Sequence, residues 1–139
     1  MPAVALQATR PARAGRVAWG LAAILIAAII FAQSSRASPS VGSATANDVL
    51  SYFAHLGLYG GLAFASARAT GARSFRAVLI VAAFVTLYGA TDEFHQSFVP
   101  SREASLLDFA VDAIGAAAGT IVSAGLVGLA RLPRAANSR

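Results

Sequence analysis

The stretch Tyr88-Gly89-Ala90-Thr91-Asp92-Glu93-Phe94-His95-Gln96-Ser97-Phe98-Val99-Pro100-Ser101-Arg102-Glu103-Ala104-Ser105-Leu106-Leu107-Asp108-Phe109-Ala110-Val111-Asp112 decides how this chain folds. It holds every acidic residue except Asp48 and one of the 2 histidines. Outside it the sequence is mostly alanine, leucine, valine, isoleucine and glycine, with arginines at the margins of the apolar runs. Charge stranded in hydrocarbon is expensive, so ionisable groups concentrated in such a chain need partners. The reading is a small membrane protein with one polar cluster, and its function is expected there.

Composition agrees. The 139 residues are 57% hydrophobic and 12% charged, with a mean hydropathy of +0.65. Soluble domains carry about a quarter charged residues. A water-soluble chain this short has too little interior to hide so much apolar surface, so lipid must cover it. There is no cysteine, which removes disulfides and thiolate metal sites and leaves the redox compartment open. The net charge of +5 comes from 11 basic residues, all arginine. Their short clusters between apolar runs suit membrane topology, and no nucleic-acid partner is expected.

Working outward from the quoted stretch, Ala77–Thr91 is an uncharged run that leads into it, short for a bilayer unless Arg76 snorkels and the helix continues through Gln96. Pro100 stops that helix in the turn from Phe98 to Arg102. The next helix starts near Ser105, crosses Asp108 and Asp112, and runs to Leu129. Upstream, Val17–Ser35 is uncharged throughout, about 28 Å as a helix at about 1.5 Å per residue, long enough to span. Ser35-Arg36-Ala37 also resembles a signal-peptide cleavage site, but the apolar run is longer than a signal peptide's. Ser38–Asn47 is a Ser/Pro/Gly loop. A second span follows over Val49–Ala67, with Asn47 or Asp48 as its cap. The linker Arg68–Arg76 contains no acid.

The expected fold is therefore all-α: a polytopic membrane protein, a four-transmembrane-helix bundle over 17–131 between basic tails at 1–16 and 132–139. Gly57 with Gly61, and Gly115 with Gly119, have the spacing that lets helices pack closely, within the chain or in a homo-oligomer. The N-terminus, the Arg68–Arg76 linker and the C-terminus share one side and hold nine arginines against two (Arg36, Arg102) on the other. The positive-inside rule then places both termini in the cytoplasm and the polar cluster at the outer face.

Two polar stripes are expected to meet there. Asp92 with His95 and Gln96 forms one, and Asp108 with Asp112 the other. Tyr52, His55 and Tyr59 share a face of the second span, the tyrosines also suiting an interfacial anchor. Arg102 is the expected counter-ion of Asp92 and Asp112. Asp48 and Glu103 read as helix-terminal acids, and Phe94 and Phe98 as lipid- or core-facing. No zincin, P-loop or nucleophile-elbow motif occurs. His55, His95, Asp92, Glu93, Asp108 and Asp112 offer donors for a divalent metal, but no spacing dictates one, and no cofactor is expected.

Residues 92–102, with Asp108 six positions after Arg102 and the Gly115/Gly119 pair, resemble the VanZ-like family of integral membrane proteins. His55 and Tyr59 are similar to the His-x-x-x-Tyr of that family's second helix, and Ser34-Ser35 with Pro39 to the end of its first. Three departures stand out: Ser51-Tyr52 replace a usual lysine, Ser101 a common glycine, and Asp112 a usual asparagine. The resemblance implies a multi-pass protein of the bacterial inner (cytoplasmic) membrane. It also implies an association with glycopeptide (teicoplanin) resistance, after which the family is named. Some relatives carry the label phosphotransbutyrylase, which nothing in these residues supports. The expected role is a non-catalytic cell-envelope accessory factor that binds or shields an anionic lipid-linked envelope component. Rival roles are an intramembrane metal- or acid/base-dependent enzyme acting on a lipid head group, and a small proton-coupled carrier.

Overall fold

The computed structural model describes residues 13–37 and 44–129, with backbone alone at 44–48 and 127–129. Four helices follow one another: α1 (Arg13–Ser34), α2 (Ala44–Thr70), α3 (Phe75–Gln96) and α4 (Leu106–Leu129). No strand occurs among the described residues. All four helices are long and apolar enough to cross a membrane. At about 1.5 Å per residue, the 22 residues of α1 or α3 reach about 33 Å, slightly more than the hydrocarbon thickness of about 30 Å. Most large apolar side chains point outward: Leu25, Phe53, Ile80, Phe84, Leu87 and Ile121 are all exposed. A continuous apolar exterior around a thin core is the inverse of a water-soluble bundle, and it is stable only where lipid covers it.

Each helix end has a local cause. Gly71, at φ +72°, takes the left-handed conformation that ends α2, and the amides of Gly71 and Ala72 both donate to the Ala67 carbonyl. Arg16 of α1 donates to the Ala69 and Thr70 carbonyls at 2.8 and 2.9 Å, placing positive charge on the negative end of the α2 dipole. Ser74 caps α3 by accepting from the Ala77 amide. Beyond α3, the Arg102 amide donates to the Val99 carbonyl at 3.1 Å, closing a turn with Pro100 second and Ser101 third. Ser101 has φ +60°, as a type II turn demands of its third residue. Ser105 caps α4 by accepting from the Asp108 amide.

These boundaries extend the expected spans. α1 starts at Arg13 and α2 at Ala44, so Asn47 and Asp48 lie inside α2 and neither is its cap. Glu103 is exposed and precedes α4, so the acid in that helix's first turn is Asp108. The tails at 1–12 and 130–139 lie outside the described residues.

In the bundle, α2 packs most extensively on α4 and next on α1; α3 lies against α4 and also touches α2 and α1. The α2–α4 seam is built on glycine. A Cβ on Gly115 would meet the Leu56 carbonyl oxygen at 2.8 Å, and one on Gly119 would overlap the Gly60 carbonyl. Gly60, rather than Gly57 or Gly61, is thus the α2 side of the seam. Gly57 has nothing within 4 Å of its would-be Cβ, and Gly61 meets only Ile26 of α1 at an ordinary 3.7 Å. Helical rotation explains the division: Gly60 lies on the face turned to α4, Gly61 on the face turned to α1, and Gly57 looks outward. The interior is small, with Ile30, Tyr59, Leu62, Ala63, Val85 and Ala116 in one cluster.

Candidate functional site

The C-terminal ends of α1 and α3, the N-terminal half of α2 and the start of α4 come together at one end of the bundle. There a pocket of about 200 Å³ opens between α1, α2, α3 and the turn after α3. Its polar lining comprises Gln33 and Ser34, Ser51, His55 and Tyr59, Asp92 and Gln96, and Arg102. Asp92 is 5% exposed. It is held by the Ser34 hydroxyl, 2.5 Å from Oδ1, and by the Gln96 amide, which donates to Oδ2 at 3.1 Å. Ser34 Oγ also lies 3.0 Å from the Ile30 carbonyl. One hydroxyl proton serves one acceptor at a time, and when Asp92 takes it the bond ties α1 to α3.

Arg102 does not sit at the centre of the acids. Its Nε and Nη2 donate to the carbonyls of Arg36 and Gln33, both at 3.0 Å, so it straps the turn to the end of α1. The expected pairing with Asp92 and Asp112 is absent. Among the described residues the only oppositely chargeable pair within 4.0 Å is His55 with Asp112. The physical reason is the end of α1, where the negative end of the helix dipole attracts a cation and the Gln33 and Arg36 carbonyls present acceptors to the guanidinium.

Behind the pocket, Asp112 is fully buried and its Oδ1 lies 2.9 Å from His55 Nδ1. The His55 ring stacks on Tyr59, with centroids 6.1 Å apart. Tyr59 in turn packs on Tyr88, whose hydroxyl donates to the Ala27 carbonyl at 2.9 Å. Glu93 Oε2 accepts from the Ser105 amide at 2.6 Å. In an ordinary capping box that amide would be taken by the acid three residues on, here Asp108. Glu93 takes it instead, and Asp108 Oδ1 is left without a partner. The Tyr59 hydroxyl, Glu93 Oε1 and Asp112 Oδ2 are likewise buried and unpartnered among the described residues. One ligand atom each from His55, Glu93 and Asp112 falls within 4.8 Å of the others.

The structure therefore divides the expected site residues into groups. His55, Tyr59, Asp92, Gln96 and Arg102 line the pocket. Glu93 and Asp112 gather behind it with His55, and Asp108 starts α4 one turn before Asp112. His95 stands apart, stacked on Phe31 and 3.1 Å from Ser35 Oγ. Phe94 and Phe98 are exposed and pair edge to face. Two contributors escape a reading by residue type. Ser34 looks in sequence like the polar end of a span, and Gly89 like one more small residue. A Cβ on Gly89 would meet Asp112 Oδ2 at 3.1 Å and the Tyr59 ring at 3.3 Å, so its lack of a side chain makes room for the carboxylate.

The VanZ/LLP1 family profile matches residues 19–128, from the second turn of α1 to the end of α4. The chain belongs to the VanZ/LLP1 family. No curated protein and no solved structure matches it. The VanZ/LLP1 match reaches into all four helices, so the residues of the pocket and of the buried cluster all lie within the matched range. Two of the departures from the family pattern also gain a location. Ser101 occupies the left-handed position of the turn, where glycine carries no steric cost. Asp112 places a carboxylate against His55.

Proposed function

We propose that this VanZ/LLP1 protein is a non-catalytic cell-envelope accessory factor that holds the polar tip of an anionic lipid-linked envelope component. The observation that carries the reading is the pocket: polar groups from three helices and one turn line a cleft of about 200 Å³ in an otherwise lipid-facing body. That volume lies below the about 300–1,000 Å³ typical of sites that enclose a whole ligand. It suits the end of a head group whose acyl or isoprenoid chain remains in the bilayer. Two donors of Arg102 are committed to the Gln33 and Arg36 carbonyls, and the remainder of its guanidinium serves a phosphate or carboxylate oxygen. Asp92 and Gln96 offer acceptors and donors for hydroxyl or amide groups beside it. Proximity of Asp92 to Arg102 favours a ligand with both anionic and hydrogen-bond-donating parts, which inorganic phosphate alone lacks.

In this reading the protein lies in the bacterial inner membrane with both termini in the cytoplasm, since the arginine-rich ends face inward. The pocket then opens at the outer leaflet, and shielding the bound component there is a route to glycopeptide resistance. The test combines mass spectrometry of lipids retained by the purified full-length protein with glycopeptide sensitivity of a deletion strain. A lipid-linked anion retained by the wild type and lost from Arg102→Ala supports the reading. No retained lipid, together with unchanged sensitivity on deletion, refutes it. Maleimide labelling of single cysteines at Ser101 and Gly71 tests orientation: outside reagent should reach only the first.

A further inference from the structure

The buried cluster behind the pocket has a feature that head-group binding does not use. Glu93 is 7% and Asp112 0% exposed, yet each keeps one carboxylate oxygen without a partner, Oε1 and Oδ2 respectively. The other oxygen of each is anchored, Glu93 Oε2 by the Ser105 amide and Asp112 Oδ1 at the His55 imidazole. A carboxylate oriented through one oxygen and open at the other is the usual state of a monodentate metal ligand with its supporting hydrogen bond.

We propose that His55, Glu93 and Asp112 bind a single divalent cation of the zinc or manganese class between α2, α3 and α4. The donors are one imidazole nitrogen and two carboxylate oxygens, all within 4.8 Å of one another. Metal–ligand distances of about 2.0–2.2 Å place adjacent donor atoms about 3 Å apart. His55 Nδ1 and Asp112 Oδ1 lie 2.9 Å apart with a proton between them; the incoming ion displaces that proton to solvent and takes its place between the two residues, and rotation of the longer Glu93 side chain closes the third side. Mixed imidazole and carboxylate donors without sulfur exclude a copper(I)-type site and suit zinc or manganese. Charge supplies the driving force. Two carboxylates and a neutral imidazole around a 2+ ion sum to zero, removing the penalty of uncompensated charge in a low-dielectric interior. Gly89 provides the space, since a Cβ there would press on Asp112 Oδ2. Asp108, on the same face of α4 and also with an unpartnered oxygen, is the next donor or the acceptor for a metal-bound water.

This site is independent of the head-group reading. The experiment uses full-length protein in lipid nanodiscs, stripped with EDTA and then titrated with Zn²⁺ by calorimetry and with Mn²⁺ by loss of the free-ion EPR signal. One ion per chain is expected, with a rise in Tm on Zn²⁺ addition. Glu93→Gln and Asp112→Asn should each weaken binding by about 100-fold, while His95→Gln, remote from the cluster, leaves it unchanged. Glu93→Gln keeps a carbonyl acceptor for the Ser105 amide and so remains decisive if Asp112→Asn does not fold. Wild type that takes up neither ion overturns the proposal, and so does Zn²⁺ binding retained by Glu93→Gln but abolished by His95→Gln.

Discussion

The α2–α4 seam offers the sharpest test of how the site is held. In Gly115→Ala the new methyl would lie 2.8 Å from the Leu56 carbonyl oxygen and 3.1 Å from the Gly60 nitrogen. Ordinary contact begins at 3.4 Å, so the backbones must part by about half an ångström. Both obstructing atoms are main chain, and no rotamer change relieves them. Gly119→Ala is worse, because its methyl overlaps the Gly60 carbonyl outright. Overpacking of this kind costs about 1–3 kcal/mol, with Gly119→Ala at the upper end. The same displacement moves His55, five residues from Gly60, away from Asp112. Their 2.9 Å contact would lengthen toward the 3.5 Å limit of a useful hydrogen bond. Thermal unfolding in detergent, followed by tryptophan fluorescence and circular dichroism, should give the order Gly119→Ala below Gly115→Ala below wild type. Gly57→Ala is the control: nothing lies within 4 Å of its would-be Cβ, and alanine's helix propensity is higher by about 0.8–1.0 kcal/mol. If Gly57→Ala destabilises as much as Gly119→Ala, the seam does not run through Gly60 and the reasoning fails.

Other substitutions probe the remaining supports. Ser101→Gly should raise Tm, since it relieves a non-glycine residue at φ +60°, a strain of about 1–2 kcal/mol; a lower Tm would show that the Ser101 hydroxyl bond to Pro100 matters more. Arg102→Lys cannot bridge the Gln33 and Arg36 carbonyls as a planar fork does. It should increase proteolysis or cysteine labelling of the 98–103 turn nearly as much as Arg102→Ala, and full protection by lysine would contradict the strap. Ser105→Ala removes the α4 cap at a cost of about 0.5–2 kcal/mol, and hydrogen exchange should rise at the Asp108 amide with little change beyond Asp112. Ser34→Ala takes one donor from Asp92 while Gln96 remains. A stability loss of about 1–3 kcal/mol is expected when a buried polar group loses a hydrogen-bond partner, and an unchanged melt would show that Asp92 does not depend on α1.

Four helices are readable in the sequence because the bilayer imposes a length and a composition on each. Backbone polar groups in hydrocarbon must be satisfied within the helix, so every span announces itself as an apolar run of sufficient length. The polar stripes are equally plain, since Asp92 and Gln96, or Asp108 and Asp112, share a face by helical period alone. Their neighbours are not. The 3.6-residue period says which residues point together, without saying toward which helix. Gly57 and Gly60 lie one turn apart on α2, yet only Gly60 meets α4, because the azimuth of α2 is set by packing. His95 and Asp92 differ by three residues, and that rotation sends one to Phe31 and the other into the pocket. By composition Arg102 is the partner of the acids, but the carbonyls of Gln33 and Arg36 at the end of α1 lie within its reach and take it. Local period and solvent rules are properties of one segment at a time, whereas the pairing of Asp112 with His55, and of Glu93 with the Ser105 amide, exists only once three helices occupy their places.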